Sequence, residues 1–178
     1  MQGEKILKYD LSPSTSLKAK ELALQGCSPW TVVIAKAQSS GHGTKGSDWF
    51  SPEGGLYFSV VLPSANIKDL QIITILTAFV VASTVKNNFN LEPMIKLPND
   101  VFVNGKKFCG ILTENVIIGD IINPVIGVGV NTNIDKFSEE LLLTATSISK
   151  ECGAEVDNQK ILDEIVSGLK LYFKKITN

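Results

Sequence analysis

The chain has 178 residues, a hydrophobic fraction of 44% and 17 basic against 18 acidic side chains. Those values describe one globular domain, at most with a small appendage, able to bury a core; a disordered tail is excluded. A net charge of −1 without any long run of Lys or Arg argues against the basic stripe of a general nucleic-acid binder, so no nucleic acid is expected as partner.

Lys5 to Tyr9 reads as a first strand. Pro13 breaks the chain, and Ser14-Thr15-Ser16 opens a helix to about Leu24, with hydroxyls suited to cap its free N–H groups. Thr31 to Ala37 is rich in β-branched residues and reads as a strand. Ser39 to Pro52 has no hydrophobic period and several glycines, and reads as a mobile loop. Gly55 to Leu62 is a further strand. Asn66 and Asp69 suit the start of a helix to about Asn88, apolar nearly all round and therefore expected in the core. Its most apolar part, Ile72 to Ala82, falls short of the roughly 20 residues that span a bilayer, so no membrane is expected.

Strands follow at Met94–Leu97, Val101–Val103 and Lys106–Glu114, then Asn115–Gly119 after a turn, then Val125–Val130. Asn104-Gly105 between apolar runs is a hairpin signal, because a tight primed turn needs positive φ. Ile161, Leu162, Ile165, Val166, Leu169, Phe173 and Ile176 share one face of a C-terminal helix, with Asn158 placed to cap it. Strands do not alternate strictly with helices. The class read is α+β, with a mixed, mainly antiparallel sheet packed with helices.

Cys27, Cys109 and Cys152 are odd in number, far apart and without the close pairing of a zinc site. They suit a reduced, cytoplasmic protein, and the N-terminus lacks an apolar signal core.

Gly41-His-Gly-Thr-Lys-Gly46 matches G-x-G-x-x-G. A dinucleotide fold needs the third glycine to enter a helix, and Ser47-Asp48-Trp49-Phe50-Ser51-Pro52 is no helix start. Kinase motifs are missing, and the Gly-Lys-Ser/Thr ending of a Walker loop is absent. Two readings stay open: a plain surface loop, or backbone N–H groups laid around an anion with Trp49 beside them as a stacking face or as ordinary core packing.

Lys96, Asn99, Asp100 and Lys107 lie around the expected hairpin. Two lysines with one carboxylate and one amide suit phosphate chemistry: lysine offers a point charge, and aspartate can hold Mg²⁺. On charge alone the same residues also fit a solvated hairpin.

Taken in order, Gly41-x-Gly43, Gly46, Trp49-Phe-Ser-Pro52, Gly55-Leu-Tyr-Phe-Ser59, Lys96-Leu-Pro-Asn-Asp100, Lys107-Phe-Cys-Gly-Ile-Leu-Thr-Glu114 and Ile126-Gly-Val-Gly-Val-Asn131 resemble the catalytic domain of the biotin protein ligases. The resemblance covers nearly the whole chain. It implies a class II synthetase-like fold over residues 1–178. It also implies formation of biotinyl-5′-adenylate from biotin and MgATP, then transfer of biotin to a lysine of a biotin carboxyl carrier protein.

By the same resemblance Lys107 and Asp100 are catalytic, with Asp100 also the residue for Mg²⁺ or for preparing the incoming amine. Ser14, Thr15, Ser16, Gln38, His42, Gly43, Thr44, Lys107 and Gly110 would bind biotin. Lys45, Trp49, Lys96, Asn99 and Asn131 would bind ATP and the adenylate. Some relatives pair through the sheet, so a homodimer is compatible.

Departures from the family pattern are the loop arginines, replaced by His42, Thr44 and Ser47, with Lys45 keeping a charge; Leu97 in place of Trp; and Ser16 where Asn is frequent. Weaker retention of the adenylate is expected. Neither an N-terminal helix-turn-helix segment nor a C-terminal β-barrel is expected. The alternatives within the resemblance are a lipoate or octanoate ligase or transferase of the same fold, and a non-catalytic relative that binds biotin or a carrier.

Overall fold

The computed structural model describes residues 5–64 and 70–177. Seven strands form one sheet: β1 (Ile6–Ser12), β2 (Val32–Gln38), β3 (Leu56–Val61), β4 (Met94–Lys96), β5 (Asp100–Val103), β6 (Lys106–Ile118) and β7 (Ile121–Val130). Their spatial order is β1-β2-β3-β7-β6-β5-β4, with β1 and β2 parallel and every other neighbour antiparallel. The expected mixed, mainly antiparallel sheet is therefore the one found. The helices are α1 (Thr15–Leu24), α2 (Leu70–Phe89), the short α3 (Ile148–Cys152) and α4 (Asn158–Thr177).

The two faces of the sheet have different work. On one, α2 and α4 cover the main core, built from Phe58, Val60, Ile126, Val128, Ile73, Val81, Ile165 and Leu169 among others. On the other, α1 packs Ala19 and Ala23, with Leu22 partly buried beside them, against Val33, Val61, Val116 and Val125. Small alanines bring α1 close, and it covers only part of that face. β3 is buried at all six positions because it is central and covered on both sides.

The Asn104-Gly105 turn is as expected, with φ of 49° and 76°. Four expectations need correction. Asn115 to Gly119 is not a separate strand. β6 runs unbroken to Ile118, paired from Asn115↔Pro124 to Ile118↔Ile121, and the chain reverses only at Gly119, whose φ of 58° suits a tight turn. The long helix is not buried all round: Ile72, Ile75 and Phe79 are exposed on its outer side. It is also longer than its most apolar part. At 20 residues it is long and apolar enough to cross a membrane by length and composition, while its inner side packs on the sheet and α4. Its expected start at Asn66 and Asp69 lies outside the described residues.

The cap of α4 is Asp157, whose Oδ1 accepts from the backbone N–H groups of Gln159 and Lys160, at 2.9 and 3.1 Å. Asn158 is the first helical residue, and its side chain donates to the Gly55 carbonyl instead. Finally, the segment from Ser39 to Pro52 is not without structure. It holds a 3₁₀ turn at Thr44–Gly46 and an antiparallel bridge between His42 and Asp48, closed by Gly43 N–H to Ser47 O (2.7 Å) and Trp49 N–H to Gly41 O (2.9 Å).

Candidate active site

Strand register fixes the floor of the site. Residues paired across a sheet project to the same face, so Lys96, Asp100, Gly110, Gly129, Tyr57 and Ala35 make one row across six strands. Two residues along, Leu112, Gly127, Ser59 and Val33 make the next row. Both rows lie on the face that α1 covers incompletely. Glycines at 110, 127 and 129 leave a stretch of floor without side chains.

Lys107 reaches this face through an irregularity. Under strict alternation Lys107 and Gly110, three apart, would point to opposite faces. A register shift between Val101 and Phe102 pairs Val101 with Cys109 but Phe102 with Lys107, leaving Phe108 as the extra residue. Phe108 and Cys109 both turn into the main core, and Lys107 is re-aimed to the side of Gly110. The backbone of Lys107 is clamped from outside the sheet: its N–H donates to Thr144 O (2.8 Å) and its carbonyl accepts from Thr146 N–H (3.0 Å).

The Lys107 ammonium lies 2.7 Å from Asp100 Oδ1 and 5.1 Å from the centre of the Trp49 ring. Asn99 Nδ2 donates to the same Asp100 oxygen at 2.9 Å. Trp49 lies across the glycine floor. A Cβ on Gly110 would stand 2.9 Å from Trp49 Cζ3, and one on Gly129 2.6 Å from Trp49 Cε2. The indole Nε1–H is buried with no acceptor, and Asn131 Oδ1 is buried with no donor. Asn131 is held firmly otherwise: its N–H donates to Phe108 O, its carbonyl accepts from Ile148 N–H, and its Nδ2 donates to Thr146 O. Orphaned buried groups are rare in folded proteins, and here both belong to residues that line one cavity.

That cavity has a volume of about 920 Å³. At its far end the α1 N-terminus meets β2. Ser14 Oγ accepts from Leu17 N–H at 3.4 Å, so it caps the helix as well as lining the cavity. Gln38 Oε1 accepts from Thr15 N–H (2.8 Å), and Gln38 Nε2 donates to Ser51 Oγ (2.9 Å), which donates in turn to Trp49 O (2.9 Å). This network ties the polar end to the tryptophan.

All the site residues expected from the sequence line this one cavity except Lys45 and Asp100. Lys45 is exposed, in left-handed backbone at φ 57°, and sits outside the lining. Asp100 bears on the cavity through Lys107. The sequence reading missed the far wall, formed by Phe137, Ser138, Glu140, Leu141, Thr144 and Ala145, and it missed Gly127 and Gly129 as floor. The wall is irregular chain with no period to find. The glycines stood in the quoted Ile126–Asn131 motif, and glycine inside a strand is itself a sign of close approach.

As to a metal, the described residues hold no group of three His, Cys, Asp or Glu side chains able to enclose one. Asp100 offers one carboxylate. Mg²⁺ commonly takes one or two carboxylates and completes its shell with phosphate and water, so the donor set fits an ion carried in with a nucleotide.

Residues 9–131 match the family described as "Biotin/lipoate A/B protein ligase family". Among curated proteins, the chain is 34% identical over 171 residues to the bifunctional ligase/repressor BirA of Bacillus spizizenii, covering 93% of this chain and 53% of that one. It is 32% identical over 162 residues to the biotin–[acetyl-CoA-carboxylase] ligase of Paracoccus denitrificans, covering 84% and 65%. The chain spans about half the length of the first of these relatives. Among solved structures, the biotin protein ligase of Aquifex aeolicus in complex with biotin and ATP superposes with a TM-score of 0.88 at 27% identity, covering 98% of this chain and 72% of that one.

Proposed function

The chain belongs to the biotin/lipoate A/B protein ligase family, and we propose that within it the protein is a biotin protein ligase, activating biotin with ATP and passing it to a lysine of a carrier protein. One observation carries the reading: Lys107 lines a cavity floored by glycines, together with the hydroxyl and amide groups of Ser14, Thr15, Ser16 and Gln38 and with Trp49 and Asn131, which each hold an unpaired polar atom. Such a cavity takes an elongated acid whose carboxylate stops at the lysine, with a nucleotide beyond.

In the first step a carboxylate oxygen of biotin attacks the α-phosphorus of ATP, and pyrophosphate leaves. Negative charge grows where the two substrates join. A fixed ammonium there stabilises the transition state more than the ground state, which is the requirement for catalysis. In the free protein Asp100 holds the Lys107 ammonium in place. With phosphate present, that carboxylate is available to an Mg²⁺ ion arriving with ATP, which would shield the departing pyrophosphate.

On the nucleotide side, Asn131 Oδ1 lacks a donor, as an exocyclic amine would supply, and Trp49 Nε1–H lacks an acceptor, as a phosphate or carboxylate oxygen would supply. In the second step the amine of the carrier lysine attacks the acyl carbon and AMP leaves.

The test is transfer of labelled biotin to a purified biotin carboxyl carrier domain, with and without ATP, by wild-type protein and by Lys107→Ala. Labelling that needs ATP and is lost in the variant supports the reading. No labelling by the wild type, or equal labelling by both, sinks it. Competition by lipoate in the same assay separates a lipoate ligase.

A further inference from the structure

We infer that Ser59, which does not line the cavity, is a positioning residue that fixes the hydrogen-bond polarity of the cavity where the α1 N-terminus meets β2. By doing so it makes that end a reader of a group carrying a carbonyl-type acceptor beside an N–H donor. The inference deepens the biotin-ligase reading and rests on it, since such a group is what a cyclic urea presents.

Ser59 is fully buried in the middle of β3, among apolar neighbours. A buried hydroxyl is costly unless bonded, so its presence calls for a reason. Register sets it beside Gly127 on β7 and Val33 on β2. A side chain at Gly127 would collide with Ser16 Oγ, so the glycine is what lets Ser16 come down onto the sheet. Three buried hydroxyls thereby join. Ser59 Oγ donates to Thr15 Oγ1 at 2.9 Å, and Ser16 Oγ lies 3.1 Å from Ser59 Oγ.

A hydroxyl has one proton to give. Ser59 gives its proton to Thr15, so the bond with Ser16 forms only if Ser16 is the donor. The chain therefore runs from Ser16 to Ser59 to Thr15. Thr15 and Ser16 line the cavity, whereas Ser59 does not. The consequence is a fixed asymmetry. Ser16 has spent its proton and offers the cavity only lone pairs. Thr15 keeps its proton, with no protein acceptor among the described residues, and offers the cavity a donor.

Gln38 strengthens the pattern: its oxygen already accepts from Thr15 N–H and its amino group donates one proton to Ser51 Oγ, so a second N–H is what it has left to offer. An acceptor and an N–H side by side on the ligand match this wall. A ligand head with donors only, or with neither, leaves Thr15 or Ser16 unpaired in a buried site.

Ser59→Ala breaks the chain, so that Thr15 and Ser16 become free to rotate and to donate or accept alike. The experiment is calorimetric binding of biotin and of 2-iminobiotin, whose ureido oxygen is replaced by a nitrogen donor, to wild type and Ser59→Ala. Thermal unfolding is recorded alongside. We expect wild type to prefer biotin, and Ser59→Ala to reduce that preference about tenfold, the factor set by one buried hydrogen bond. Most of the change is expected as weaker biotin binding. In pyrophosphate exchange KM for biotin should rise while kcat stays within about a factor of three.

Ser59→Cys, which keeps the size of the side chain but replaces the hydroxyl with a weak donor, loosens the same bond to Thr15 and should lower the same ratio in part. It keeps the test readable if Ser59→Ala unfolds. Equal weakening of both ligands by the variants, or an unchanged ratio, overturns the assignment. Wild type that binds biotin but forms no adenylate sinks the ligase reading instead, and leaves the binding ratio as a valid test of the polarity.

Discussion

Gly129→Ala tests the glycine floor most sharply. A Cβ there would stand 2.6 Å from Trp49 Cε2, whereas ordinary carbon contacts begin near 3.4 Å. The floor is a paired strand and cannot give way, so the indole must retreat by roughly 1 Å. Trp49 is linked through its carbonyl to Ser51 and Gln38, and through its ring to Lys107, so the shift reaches both ends of the cavity. A misplacement of about 1 Å at a reacting centre costs on the order of 10²-fold in rate. The added methyl costs stability only as overpacking, about 1–3 kcal/mol, because the indole edge is partly exposed and can move.

The assay is biotin-dependent pyrophosphate exchange, measured for Gly129→Ala, Trp49→Ala and the double variant. Since the methyl acts through the indole, it should cost much less when the indole is gone. Equal losses from Gly129→Ala in both backgrounds would show that the methyl obstructs substrate directly and would refute the reasoning. Gly110→Ala, whose Cβ meets Trp49 Cζ3 at 2.9 Å, should give a smaller loss of the same kind.

Lys107→Ala should lower the rate of adenylate formation by about 10²–10³-fold, the usual loss of one charge-stabilising donor, with little change in melting temperature; stopped-flow formation of adenylate checks it. Thr44 lines the cavity while Lys45 does not, so the glycine loop brings no permanent cation to the ligand. Thr44→Arg should therefore slow adenylate release by about 10–100-fold, the effect of one charged hydrogen bond, in a single-turnover chase; unaltered release refutes it.

Burial pushes the Cys109 thiol and the Tyr57 phenol well above their ordinary values of 9.0 and 10.0. The unfolded chain therefore loses these protons first as pH rises. Stability is whole below pH 9.0 and falls above it, by at most about 1.4 kcal/mol per pH unit for each group. Urea midpoints from pH 7 to 10.5 should decline, with a later onset in Cys109→Ala; a flat profile to pH 10.5 contradicts the assignment.

Local chemistry made much of the fold legible. Asn104-Gly105 announced its turn because positive φ at both positions narrows the residue choice. The α4 stripe announced its helix because Ile161, Ile165, Leu169 and Phe173 all meet the core. Where the reading failed, a nonlocal partner decided. Asn115 looked like a turn, yet Pro124 and Asn123 on β7 kept β6 extended past it. Asn158 looked like a cap, but the Gly55 carbonyl claimed its amide and left the role to Asp157. The outer side of α2 is apolar in the sequence, and nothing in its own residues distinguishes Phe79 exposed from Val81 buried. The wall from Phe137 to Ala145 is positioned by backbone bonds to Lys107, which leave no periodic trace.

The candidate site shows why motif and geometry agreed at Lys107 even though simple alternation would have divided it from Gly110. A strict strand from Lys106 onward would put Phe108 on the open face and Lys107 in the core. Each placement is unfavourable, and the register shift at Phe108 relieves both. The same economy governs β7, where Ile126 and Val128 fill the main core while the intervening Gly127 and Gly129 leave room on the other face for Ser16 and Trp49. Glycine weakens a strand, so a floor of this kind is tenable only where the opposite face supplies the cohesion. In this sheet α2 and α4 supply it, and the helix on the site's own side adds a smaller cluster around Ala19, Leu22 and Ala23. Stability and chemistry are thus separated by face, strand by strand. A substitution at Val128 should cost folding before function, and one at Gly129 function before folding.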